Sequence, residues 1–157
     1  MRYPAFVKEE GRSLVVTFPA CPGCVTQVDP GEDLAAQAAE ALEGWLEATL
    51  LSGEVPPEEP SAARAPRGAR LVWVDVPARL AVKVSLRRVR TDAGLSQAAL
   101  GRRAGVTQQQ IAKLEHPDAN PSIDTLEVVA RALGARLDVG LVAGGAGGRG
   151  GSARPRA

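Results

Sequence analysis

The sequence predicts an α+β protein of two modules: a small sheet packed by one helix, then an all-α domain with a C-terminal strand. Three observations carry that expectation. Short β-branched runs before Asp29 give way, from Asp33, to an apolar pattern of helical period. A second helical stretch follows a proline-rich break and is punctuated by Gly94, Gly105 and Gly134. Charge also reverses along the chain. Residues 1–62 hold three basic side chains against eleven acidic ones, a net of −8, and residues 63–157 hold sixteen against seven, a net of +9.

Such polarity suggests modules with different partners, since nucleic acid attracts the basic half and repels the acidic one. Six of the sixteen positive charges lie in an arginine-bearing linker and tail, so the split alone leaves a simpler origin open. With 157 residues, 45% hydrophobic and 3% aromatic, the chain is long and apolar enough for one medium domain or two small ones. That excludes a wholly disordered chain, a collagen-like fibre and a disulfide-stapled miniprotein. No apolar run approaches the roughly 18 residues of a membrane span, and Met1 to Phe6 lack the apolar stretch of a secretory signal. A cytoplasmic location without membrane contact is expected.

In the first module, Tyr3 to Lys8 and Ser13 to Phe18 read as strands joined by the turn Glu9-Glu10-Gly11-Arg12. Cys24 to Val28 alternates in the same way after the turn at Pro22-Gly23. Leu34, Ala38, Leu42, Trp45, Leu46, Thr49 and Leu50 then recur at helical spacing, and Gly53 ends the helix. Its opposite side carries the acidic stripe Glu40, Glu43 and Glu47. Four prolines between Glu54 and Gly68 forbid a continuing helix, and Leu71 to Val76 reads as a fourth strand. The first domain is therefore expected over residues 1–76, with 54–69 as a loop within it.

In the second module, Ala81 to Thr91 is helical in pattern, with Leu86 and Val89 as core positions and Gly94 as its C-cap. Ser96 is placed to cap a short helix, Gly105 to take φ > 0 in a tight turn, and Thr107 with Gln110 to form a capping box. Leu100, Ala104, Val106, Ile111 and Leu114 face inward from two helices crossing steeply, a helix-turn-helix pattern. A last helix through Leu126, Val129 and Leu133 ends at Gly134, and Arg136 to Leu141 alternates as a strand. A lone strand leaves unpaired edges, so it is expected to pair across a two-fold axis. This domain is expected over residues 77–142. The glycine- and arginine-rich tail, 143–157, has no large apolar residue to offset the entropy of ordering and is expected to be disordered.

Leu95-Ser96-Gln97, Leu100, Gly105-Val106, Ile111, Leu114-Glu115, Asn120-Pro121-Ser122 and Thr125-Leu126 resemble the helix-turn-helix domain of phage-repressor (XRE-type, lambda-repressor-like) regulators. The match covers about a third of the chain. Gly101 departs from it: the family usually places Ala there, and glycine softens a helix by roughly 1 kcal/mol. The first turn of the recognition helix presents Thr107, Gln108 and Gln109, whose amides suit adenine edges. The resemblance implies that Gln108 and Gln109 read bases, with Lys113 one turn on. It also implies that Gln97 and Thr107 clamp phosphates at helix N-termini. Arg102 and Arg103 are placed to add phosphate contacts.

Tyr3-Pro4-Ala5, Val15 to Pro19, Pro22-Gly23-Cys24-Val25-Thr26-Gln27 and the helix ending Trp45-Leu46 resemble HicB-type antitoxins. That resemblance continues through Pro77, Leu80 and Lys83. It implies a truncated RNase H-like fold and a type II toxin–antitoxin role. On that reading the chain binds a HicA-like, basic, mRNA-cleaving toxin through its first domain and represses its own operon, as a homodimer or higher oligomer, through its second. Glu40, Glu43 and Glu47 are the candidate toxin contacts. The alternative is a stand-alone phage-repressor-like regulator whose N-terminal domain senses a ligand or dimerises.

A nuclease reading is disfavoured, because two-metal chemistry needs converging carboxylates and no acid lies within Val15 to Phe18. Cys21 and Cys24 have Cys-x-x-Cys spacing, but no helix begins at Cys24 to activate a thiol and a closed zinc site would need more ligands than His116. They are expected to be structural thiols, and His116 is given no role. No catalytic residue, metal site or cofactor is expected.

Overall fold

The computed structural model describes residues 1–141, so the tail expected to be disordered lies outside the described residues. Four strands and five helices follow one another as β1 (Arg2–Glu10), β2 (Ser13–Thr17), β3 (Val25–Val28), α1 (Leu34–Leu51), β4 (Ala69–Asp75), α2 (Ala78–Asp92), α3 (Gln97–Ala104), α4 (Gln108–Leu114) and α5 (Ile123–Ala132). The class is α+β, as predicted.

The sheet has the order β3-β2-β1-β4 with every neighbour antiparallel. β1 is central because it is long enough to pair on both sides, from Phe6↔Thr17 to Glu10↔Ser13 with β2 and from Arg2↔Asp75 to Lys8↔Ala69 with β4. The hairpin turn is tighter than expected. β1 runs to Glu10, leaving only Gly11 and Arg12 to reverse the chain. Directly opposed residues share a face, so Tyr3 with Val74 and Val7 with Val16 build one apolar layer.

That layer is covered by α1. Asp33 caps the helix by accepting from Ala35 N and Ala36 N, and Ala38, Leu42, Leu46, Thr49 and Leu50 form its buried stripe. Burying each of the three leucines stabilises the unit by roughly 1.5–3 kcal/mol. Cys21 and Cys24 lie in the same core, as structural thiols.

α2 begins at Ala78, three residues before its expected start, because the Pro77 carbonyl accepts from both Leu80 N and Ala81 N at 2.9 Å. Leu80 and Val84 complete the first core, whereas Leu86 joins Leu100, Ile111 and Val129 in a second. One helix therefore serves both cores. Val89, expected inside, is 37% exposed. Residues 136–141 form no strand among the described residues, because a ladder needs a neighbour and the chain offers none there. Val139 and Leu141 are left exposed.

Candidate nucleic-acid interface

The helix-turn-helix is set by its caps. The Ser96 hydroxyl accepts from Ala99 N at 3.1 Å and starts α3. Gly105, at φ +71°, ends it in the left-handed region, and Val106 N returns to the Gly101 carbonyl at 2.9 Å. The expected capping box then starts α4: Gln110 N donates to Thr107 Oγ1 at 3.2 Å, and Thr107 N to Gln110 Oε1 at 2.8 Å. Gln110 is thus committed to the cap. Gln108, Gln109, Lys113, Arg102 and Arg103 are all exposed and make no hydrogen bond or ion pair among the described residues. Their polar heads are available to a ligand.

Gln97 is placed differently. It is half-buried, and its Nε2 donates to Glu115 Oε2 at 3.0 Å. Glu115, at the C-cap of α4, is 0% exposed and also accepts from Arg87 Nε at 3.1 Å and from Arg90 Nε at 2.5 Å and Nη2 at 2.9 Å. Burial is the largest influence on its carboxyl and raises the pKa. The hydrogen bonds from Arg90 and Gln97, with the charges of Arg90 and Arg87, outweigh it and hold the group below the usual glutamate range. Glu115 therefore fixes the orientation of Gln97 at the start of α3 and the end of the recognition helix together.

This network was missed in the sequence, and its signal is the spacing of Lys83, Arg87 and Arg90 along α2. At i, i+4 and i+7 they share a face that also points at the second unit. Lys83, 1% exposed, donates to the Pro117 carbonyl just past α4, and burial, reinforced by the nearby Arg79 charge, lowers its pKa. Arg87 also reaches back, donating from Nη1 to the Leu50 carbonyl at 2.6 Å and the Glu54 carbonyl at 3.1 Å. Arg88 Nη2 and the Tyr3 hydroxyl both donate to the Pro57 carbonyl at 2.6 Å, pinning the proline-rich loop.

The acidic stripe of α1 is partly engaged inside the chain. Arg79 of α2 pairs with Glu43 at 2.7 Å and Glu47 at 3.1 Å, while Glu40 is exposed without a partner among the described residues. The thiols of Cys21 and Cys24 are free and buried. Burial, helped by its neighbour Cys24, pushes Cys21 up to about 12, and burial pushes Cys24 up to about 11. Asp29 is held by Ser13 at 2.7 Å and Gln27 at 2.9 Å, which lowers its pKa. His116 Nδ1 accepts from Asp118 N at 3.2 Å in a local turn. Among the described residues no three of His, Cys, Asp and Glu gather as metal ligands. No helix there is long and apolar enough to cross a membrane.

These features define a helix-turn-helix DNA-binding protein with an added α+β unit at its N-terminus, and a helix-turn-helix family profile matches residues 86–139. The chain belongs to the family described as HicB_like antitoxin of bacterial toxin-antitoxin system, whose profile matches residues 3–100. Antitoxin HicB 1 of Photorhabdus laumondii subsp. laumondii is 33% identical over 143 residues, 90% of this chain and 87% of that protein. Antitoxin HicB 2 of the same organism is 28% identical over 139 residues, 88% of this chain and 95% of that protein. A chain of a solved structure described as HicA3 and HicB3 toxin-antitoxin complex aligns with a TM-score of 0.38 at 24% identity, covering 48% of this chain and 98% of that one.

Proposed function

We propose that the chain is the antitoxin of a type II toxin–antitoxin pair, which neutralises a small HicA-like mRNA-cleaving toxin by direct binding and represses its own operon through sequence-specific DNA binding. The observation that carries this reading is the succession of an antitoxin-family unit over residues 3–100 and a helix-turn-helix over residues 86–139. Labour divides near residue 77: residues 1–76 receive the toxin and residues 77–142 read DNA. Gln108 and Gln109 read base edges, Lys113 follows one turn on, and Gln97, Thr107, Arg102 and Arg103 seat the phosphates. The net charge of −8 over residues 1–62 speeds encounter with a basic partner. Glu40 is the free contact on α1, whereas a toxin reaching Glu43 and Glu47 must share them with Arg79. The action is binding in the cytoplasm, without catalysis or cofactor.

A two-fold operator calls for a dimer. Residues 136–141, with no backbone hydrogen bond among the described residues and an alternating apolar side, supply an edge that pairs with the same segment of a second copy.

The test is co-expression with the neighbouring small open reading frame, followed by affinity purification of this chain. A stoichiometric complex that relieves growth arrest is expected. No partner, with binding to its own promoter intact, would leave a stand-alone regulator whose N-terminal unit senses a ligand or dimerises.

A further inference from the structure

We propose that Arg87 is a positioning residue for DNA reading: it joins the end of α1 to the end of the recognition helix, so that the two units present α4 at one fixed angle. The proposal rests on the DNA-binding reading above and adds what holds the reading helix in place. Three hydrogen bonds carry it. Arg87 Nη1 donates to the carbonyls of Leu50 and Glu54, and Arg87 Nε donates to Glu115 Oε2. Leu50 lies in the last turn of α1; its carbonyl, which also accepts from Gly53 N at 3.3 Å, carries the negative end of the dipole. Glu115 caps α4 and holds Gln97 at the start of α3. Leu50, Arg87, Glu115 and Gln97 thus form one hydrogen-bonded path from the acidic helix to the half-buried amide proposed to seat a phosphate.

Each of the other cations of α2 reaches one side: Lys83 donates to the Pro117 carbonyl past α4, and Arg88 to the Pro57 carbonyl of the proline-rich loop. Arg90 joins Glu115 to the Leu95 carbonyl, both inside the helix-turn-helix, so it braces that unit internally. Arg79 joins α2 to α1 alone. Arg87 touches both ends at once, and it can because a guanidinium presents several donors in a rigid planar fork. A lysine at the same position keeps the charge beside Glu115 but has a single nitrogen, which cannot reach Glu115 and the α1 carbonyls together. With Glu115 held from the α1 side, the end of α4 and Gln97 at the start of α3 keep one orientation relative to each other.

The experiment uses the full chain as wild type, Arg87→Lys and Arg90→Lys. Amide hydrogen exchange is followed at the end of α1 and in α3 and α4, and binding to a DNA site selected in vitro by the wild type is measured for each chain. Arg87→Lys should raise exchange at the end of α1 and in α4 together and bind roughly tenfold more weakly, the loss of about one buried hydrogen bond. Arg90→Lys should weaken binding and raise exchange in α3 and α4 while the end of α1 stays protected. An Arg87→Lys chain with α1 and α4 as protected as in the wild type, or with unchanged DNA binding, overturns the proposal, and so does an equal loss of α1 protection in Arg90→Lys.

Should Arg87→Lys not fold, hydrogen exchange of the wild type decides. Shared opening of α1 and α4 supports the coupling, and opening of α3–α5 with α1 still protected removes it. If the wild type selects no DNA sequence, the DNA-binding reading fails, while exchange at α1 and α4 still judges Arg87.

Discussion

A Cβ on Gly101 would stand 2.8 Å from the carbonyl oxygen of Val106 and 3.2 Å from the carbonyl carbon and oxygen of Thr107. The turn between α3 and α4 passes too close to α3 to admit a methyl group. Departure from the alanine usual in this motif is therefore matched to this chain's own turn. Gly101→Ala gains the roughly 1 kcal/mol of helix propensity that glycine forgoes. It must also push backbone aside, an overpacking cost of about 1–3 kcal/mol. A net loss of about 1 kcal/mol is expected from the urea midpoint, and a gain would show that the turn relaxes freely.

Gln108→Ala and Gln109→Ala should each weaken operator binding by roughly 1–3 kcal/mol, because each removes an amide able to pair bidentately with a base edge. Both side chains are exposed and unbonded, so folding should be unchanged by circular dichroism. Toxin binding should stay intact. Loss of both activities together would mean that the variants report on the fold.

Stability should fall in acid through Glu115. Its carboxyl titrates below the usual glutamate range when folded, so its contribution is complete above the unfolded value of about 4.3 and is lost as pH drops through the lower folded one. Glu115→Gln leaves Arg87 and Arg90 without a counter-charge, at about 3–5 kcal/mol near neutral pH. Its melting temperature should then vary less than that of the wild type between pH 5 and the acid limit of folding, roughly pH 3. Parallel curves for the two proteins would remove Glu115 from the acid response.

Cys21 and Cys24 should resist alkylation at pH 8 in the folded chain and react fully in denaturant. Burial pushes their thiols up to about 12 and about 11, far from thiolate formation at that pH. Rapid labelling of the native protein, followed by mass spectrometry, would contradict the packing of the first core.

Deleting residues 136–157 should yield monomers in light scattering, because the deletion removes the segment proposed to pair across the two-fold axis. An unchanged dimer would place the two-fold contact elsewhere.

Period and capping made most of the fold legible. The stripe from Ala38 to Leu50 and the box of Thr107 with Gln110 are local patterns, and local patterns survive in sequence. Glu115 was visible as the end of a helical run and a residue of the helix-turn-helix resemblance, but not as the hub of a network, because its partners lie 18 to 28 positions away. Arg87 was harder still: two of its three acceptors are main-chain carbonyls, which every residue has. The charge reversal suggested two outward-facing partners. Part of it is instead satisfied within the chain, where Arg79 meets Glu43 and Glu47 across α1 and α2. Strand character at 136–141 was read from alternation alone, and alternation does not reveal whether a neighbouring strand exists.

The sharing of α2 between two cores bears on how such proteins trade specificities. A chimera joined at residue 77 would carry a foreign Leu80 and Val84 into the first core and a foreign Arg87 against the resident Leu50 and Glu54 carbonyls. Swapping only the segment after Gly94 leaves both junctions native on the N-terminal side but hands Arg87 and Arg90 a new acid to find. Exchange of DNA-reading heads between relatives is thus constrained to donors that keep a glutamate at the position of Glu115, whatever base sequence their own helices prefer.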